Sequence, residues 1–188
     1  MIKRFGAVLI VALIGVVGIG RVGHGTFAQE ATSDLAGHPL IGTWMAMTPF
    51  GASPETFSAD GSVVAGPPII EAGPDGVLFL GVGIGTWEST GERSGHATFV
   101  QALGGADGTY TGTLTIDAHL AVSDDGQTFI DNDPETTLTF RDAQNNVTQV
   151  ITPYKGGDGS IPPVTANRMA PGKPGLPPAT PAAATPSS

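Results

Sequence analysis

The chain has 188 residues, a formal net charge of −9, 40% hydrophobic residues and no cysteine. The missing cysteine excludes disulfides, zinc–thiolate clusters and a thiol nucleophile, and the hydrophobic content excludes disorder throughout. The acidic balance argues against nucleic acid, whose phosphates it would repel.

The first segment reads as a targeting signal. Lys3 and Arg4 give a positive start, Gly6 to Ile19 is apolar and uncharged, and Thr26-Phe27-Ala28 offers the small residues of a cleavage site before Gln29. The apolar run is short for a membrane span, which takes roughly 20 residues. The segments expected are therefore 1–28 as signal peptide, 29–37 as a short polar lead, 38–168 as the folded domain and 169–188 as a tail. Removing Lys3, Arg4 and Arg21 leaves five basic residues against 17 acidic ones, a formal net charge of −12. The chain is expected to be secreted, extracellular or periplasmic, with no stable membrane insertion after cleavage.

Within 38–168 the dominant period is two. Along Tyr110 to Val122, one alternating set is Tyr110, Gly112, Leu114, Ile116, Ala118, Leu120 and Val122; the other is mostly threonine, Asp117 and His119. One apolar face and one polar face make a half-buried strand. A run this long is expected to bend or break near Ala118. Ala97 to Val100, Thr137 to Arg141 and Val147 to Ile151 also read as strands. Asp60-Gly61, Asp75-Gly76, Asp107-Gly108, Asp125-Gly126 and Asn145-Asn146 punctuate them. Such pairs tolerate positive φ and close tight hairpins. No helical stripe is found. Eight or nine short strands joined by hairpins predict an all-β, antiparallel up-and-down barrel of about eight strands, since closure removes exposed edges. From Pro171 the chain is rich in Pro, Ala and Thr, which predicts an extended disordered tail, either a stalk or a free end.

Ile-Gly-Thr-Trp occurs twice, at Ile41–Trp44 and Ile84–Trp87, and holds both tryptophans of the chain. The first copy is followed by Thr56-Phe57 and the second by Thr98-Phe99. The spacing suggests two similar hairpins presenting indoles to one core, each glycine leaving room beside its ring.

Chemistry-bearing clusters are sparse. His24 falls in the signal segment, and His38, His96 and His119 have no metal-binding spacing. His119 lies on the Thr/Asp face and should meet solvent. Asp124-Asp125 and Asp131-Asn132-Asp133 could suggest calcium, but they miss the EF-hand pattern and read better as turns with solvated acids. The glycines of Gly81 to Gly85 have no following helix to hold a phosphate and suit close strand packing. No serine-nucleophile turn occurs. Neither a metal nor a cofactor is expected.

Pro39-Leu40-Ile41-Gly42-Thr43-Trp44 resembles the first-strand Gly-x-Trp signature of the calycin superfamily, which includes lipocalins, fatty-acid-binding proteins and avidins. The chain is also similar to bacterial secreted proteins that pair HPL-x-GTW with a later W-E-x-T-G-x-R, here Trp87 to Arg93. The resemblance implies a calycin-like barrel with Gly42 and Trp44 closing one end. It also implies a late-strand arginine across the indole, Arg141 first and Arg168 second. The Thr-Asp-Tyr box of typical lipocalins is absent, so the likeness is to the barrel rather than to lipocalins proper.

The leading functional expectation is a non-catalytic binding module holding a small apolar molecule, lined by Trp87, Phe99, Tyr110 and Leu114, with Trp44 as a plug. Two alternatives stand beside it. One is a small β-barrel enzyme, an isomerase or hydrolase, using Glu88 or His96 as general base in the cavity. The other is a structural or interaction protein of the cell envelope. Oligomeric state is not readable from the sequence.

Overall fold

A computed structural model describes residues 35–73, 76–155 and 161–178. The signal segment, most of the polar lead, Asp75 and the end of the tail lie outside the described residues. Twelve strands follow in order: β1 (Gly42–Thr48), β2 (Gly51–Phe57), β3 (Ser62–Ala65), β4 (Ile70–Gly73), β5 (Gly76–Leu80), β6 (Gly83–Ser89), β7 (Ser94–Gly104), β8 (Tyr110–Val122), β9 (Thr128–Asp131), β10 (Thr137–Asp142), β11 (Val147–Ile151) and β12 (Val164–Arg168). No helix occurs among the described residues.

Eight strands form a closed antiparallel barrel. The ring runs β1-β2-β3-β6-β7-β8-β9-β12 and returns to β1, the closure resting on the long β7–β8 ladder. It is an up-and-down meander with two hairpins added to it. The β4–β5 hairpin extends from the end of β7, and the β10–β11 hairpin extends from β8.

The break expected near Ala118 does not occur. β8 continues unbroken, but its neighbour switches: β10 pairs Gly112 to Asp117, and β9 pairs Ala121 and Val122. At this split the His119 N–H donates to the Thr136 hydroxyl at 3.3 Å, which in turn donates to Asp131 Oδ1 at 2.7 Å. The side chain thus satisfies a backbone donor that has left the ladder.

Period-two alternation decides what enters the core. On β8, Gly112, Leu114, Ala118, Leu120 and Val122 are buried, while Tyr110 at the strand's start is exposed. The turn pairs behave as their chemistry requires. Gly61, Gly108 and Gly126 take φ of +83°, +79° and +68°, and Asn145 takes +68°. In each turn an aspartate carboxylate accepts backbone N–H groups, as Asp60 does from Ser62 and Asp107 from Thr109. The Ser62 and Thr109 hydroxyls, which donate to the same carboxylates, and then these backbone bonds hold both carboxyls below the usual aspartate range.

The two Ile-Gly-Thr-Trp copies are equivalent in register. Gly42 lies opposite Phe57, Thr43 opposite Thr56 and Trp44 opposite Glu55. Gly85 lies opposite Phe99, Thr86 opposite Thr98 and Trp87 opposite Ala97. The glycines make room for different things. A Cβ on Gly42 would meet Arg168 Nη1 at 2.5 Å, and one on Gly85 would meet the Thr98 carbonyl oxygen at 1.9 Å. The first admits a guanidinium, and the second admits the neighbouring backbone.

Candidate functional site

One end of the barrel is sealed by an aromatic chain. Trp44 packs edge-on to Phe129 at 5.1 Å, Phe129 to Phe57 at 6.2 Å, Phe57 to Trp87 at 6.0 Å, and Trp87 meets His38 at 5.2 Å. The Trp44 Nε1–H donates to the Leu40 carbonyl and the Trp87 Nε1–H to that of Ser58. Each buried indole therefore keeps its polar handle satisfied. Leu35, within the lead, and Leu40 belong to the same core.

Arg168 completes this seal. Its guanidinium carbon stands 4.1 Å from the Trp44 ring centroid. It donates to the carbonyls of Gly126, Ile41 and Pro39, tying β12 to the chain ahead of β1. Arg141, expected first in that place, instead reaches Asn145 O at 3.4 Å in the β10–β11 turn. The reason is topological: β10 is an added hairpin strand, whereas β12 is the direct neighbour of β1. The chain stays in contact with the barrel past Arg168, with Met169 N–H donating to Thr43 O and Asn167 to Gly175 O.

The other end is open. A cavity of about 290 Å³ occupies the barrel above the aromatic floor of Phe57 and Phe129. Its walls are Phe99, Leu114, Ile116 and Leu120, extended sideways by Leu138 and Phe140 of β10 and Ile151 of β11. The rim carries Pro49, Pro67, Pro68, Pro153 and Pro162, whose fixed φ stiffens the connecting loops.

Two carboxyls lie one inward step above the floor. Glu55 precedes Phe57 on β2 and Asp131 follows Phe129 on β9, each sharing the inward face. Glu55 is 8% exposed and Asp131 4%. Burial first, and the charge of Asp131 second, push the Glu55 carboxyl up to about 8. Burial also raises Asp131, to about 6, against the lowering effect of its hydrogen bonds from Thr136 and Asp133. Ser53, Gln101 and Thr136 are the other buried polar side chains of the walls, and Tyr154 stands near the rim with its hydroxyl accepting from Val164 N–H.

The sequence-predicted residues divide. Phe99 and Leu114 line the cavity. Trp87 is buried in the seal and not in the cavity wall, and Tyr110 is 55% exposed at the β7–β8 turn. Asp131, read from sequence among solvated turn acids, is inside, because it alternates with Phe129. Glu88 and His96 are not in the cavity. They belong to an outer-face cluster in which His96 Nε2 contacts Asp117 at 2.6 Å, His96 Nδ1 contacts Glu88 at 3.3 Å, and the His96 ring stacks on His119 at 4.7 Å. Burial lowers the His96 pKa, but its bonds to Asp117 and Glu88 outweigh this and leave it raised.

Sequence reasoning missed Glu55. A signal was present: aligning Thr56-Phe57 with Thr98-Phe99 places Glu55 at the position of inward-facing Ala97.

The fold is thus a closed eight-stranded antiparallel barrel with one sealed and one open end. No family model, curated protein or solved structure matches the chain.

Proposed function

We propose that the protein is a secreted, non-catalytic binding module whose barrel holds one small, largely apolar molecule. The observation that carries this reading is the cavity of about 290 Å³, floored by aromatic rings and walled by aliphatic and aromatic side chains. Eight-stranded barrels have an interior that is either filled by side chains or sized for one small ligand. Here Ala118, a small inward-facing residue of β8, lines it where a larger side chain would fill it. A cavity of about 150 Å³ already admits benzene, so this volume suits a ligand of one ring with a short chain. The calycin resemblance at Gly42 and Trp44, and the export signal read at residues 1–28, support the same role.

Native mass spectrometry of the protein purified from its own host tests this reading. The expected spectrum contains a species heavier by the mass of one small molecule, lost on mild activation. A wholly unliganded spectrum, together with no rise in thermal midpoint across a panel of small aromatic compounds, overturns it. Saturation at about 100 times Kd would stabilise the fold by roughly 2.7 kcal/mol.

A further inference from the structure

We propose that the ligand is a small hydrophobic amine, bound as its ammonium ion with the Glu55 and Asp131 carboxylates as partners. This rests on the binding reading above and names its ligand class. The ionisable residues of the cavity lining are Glu55, Asp131 and Tyr154, all acids, with no Lys, Arg or His among the described lining residues.

Glu55 is more than nine-tenths buried, and its carboxyl hydrogen-bonds to no described residue. Ser53 and Gln101 likewise bond through their side chains to no described residue, yet none of these polar atoms is sealed from the cavity space. On Asp131 the donors Thr136 and Asp133 both end on Oδ1, so Oδ2 has no described donor. Buried polar groups normally find partners. Here the partner groups left open are mostly acceptors, beside an apolar wall. A cation with several N–H donors on an apolar body matches both.

Charge discriminates among ligand classes. A carboxylate ligand would add a third acid to the pair. An uncharged ligand would leave both acids desolvated. An ammonium ion offsets the burial that raises both carboxyls and the charge of Asp131 that raises Glu55 further. The ion pair needs Glu55 ionised, so near neutral pH binding R–NH3+ transfers the Glu55 carboxyl proton to solvent. The groups facing Glu55 are consistent with this. Its ladder neighbours β1 and β3 present Trp44 and Ala65, Gln101 of β7 lines the same cavity, and Asp131 is the acid that acts on it. Asp131 in turn is influenced by Asp133 and His119, and Tyr154 by Asp131.

Calorimetric titration of the full chain with 2-phenylethylamine, 2-phenylethanol and 3-phenylpropanoate, at pH 6 and pH 8, tests the proposal. The amine is expected to bind at least tenfold tighter than the alcohol at pH 8. Its affinity should fall at least tenfold at pH 6, with proton release that varies the apparent heat between buffers. Glu55→Gln keeps the shape of the protonated acid and should remove both the preference and the pH dependence, while Glu88→Gln on the outer face should change neither. If Glu55→Gln does not fold, Asp131→Asn and the unmodified protein's pH profile decide. Alcohol or acid binding as tightly as the amine at pH 8 overturns the amine proposal and leaves the binding reading standing. Failure of all three to bind at millimolar concentration overturns both.

Discussion

Glu55 occupies the place that Ala97 holds in the equivalent hairpin, so a carboxyl stands where an apolar methyl would suffice for packing. Its cost depends on pH. The folded carboxyl is raised to about 8 from 4.5, so between these values the native state holds a proton that the unfolded chain has lost. Stability therefore declines as pH rises from about 4.5 to about 8. Asp131 adds the same sign between 3.8 and about 6. The lowered turn carboxyls and Asp117 act oppositely, losing stability as they are protonated in acid. The unliganded protein should be most stable near pH ~4–5. Thermal unfolding should show Glu55→Gln raising the midpoint at pH 8 by an amount equivalent to a few kcal/mol, with little change at pH 5. Equal effects at both pH values would contradict the assignment. The two arginines separate in the same assay. Arg168→Ala removes three carbonyl contacts and the stacking on Trp44 and should cost about 2–4 kcal/mol. Arg141→Ala should stay within about 0.5 kcal/mol.

At the level of the strand pair, the repeated motif works through glycine at two different tolerances. Gly85→Ala drives a Cβ into the β7 backbone, which cannot move without opening the β6–β7 ladder. A loss of about 3 kcal/mol or more is expected in urea unfolding. Amide exchange should show the opening from Ile84 to Ser89. Gly42→Ala meets chiefly the tip of Arg168, and also a φ of +135°. Its damage should show as a displaced guanidinium and altered Trp44 fluorescence rather than as a broken ladder. The strands that alternate cleanly, β7 and β8, were legible in the sequence, as was the Asp107-Gly108 turn that joins them. Of β2 only Thr56-Phe57 was, because the rest of Gly-Ala-Ser-Pro-Glu-Thr-Phe carries Pro54 and few apolar residues, and the strand's inward face is Ser53, Glu55 and Phe57. The cavity's acids were hidden for that reason. Local pattern marks a Glu or Asp as solvated unless the register of its neighbours is known.

Across the whole molecule, the barrel divides into a sealed half and an open half. The closed, helix-poor barrel follows from the period-two strands and their hairpin turns, and the burial of both indoles from the paired Gly-Thr-Trp frames. Which arginine reaches Trp44 does not, since that depends on β10 being an added hairpin and β12 a barrel strand. Trp44 is 0% exposed and Trp87 4%. Native fluorescence should therefore be blue-shifted and weakly quenched by iodide, with one cooperative transition as the barrel opens. Strong quenching of either indole before unfolding would mean that the sealed end is not closed. The added hairpins leave β4 and β11 as edges, and Val147 and Val150 of β11 stand exposed there. The site depends on β10 and β11 as well as the barrel, since Leu138, Phe140 and Ile151 form its side wall.

The most direct test of this account is the titration of the Glu55 side-chain carboxyl, followed by carbon-13 NMR in the unliganded protein. Burial of the carboxyl beside Asp131 predicts a midpoint of about 8, falling when Asp131 is replaced by Asn. A midpoint near the ordinary glutamate value of 4.5, unchanged by Asp131→Asn, would mean that the carboxyl is bathed in solvent and that the site holds no buried acid.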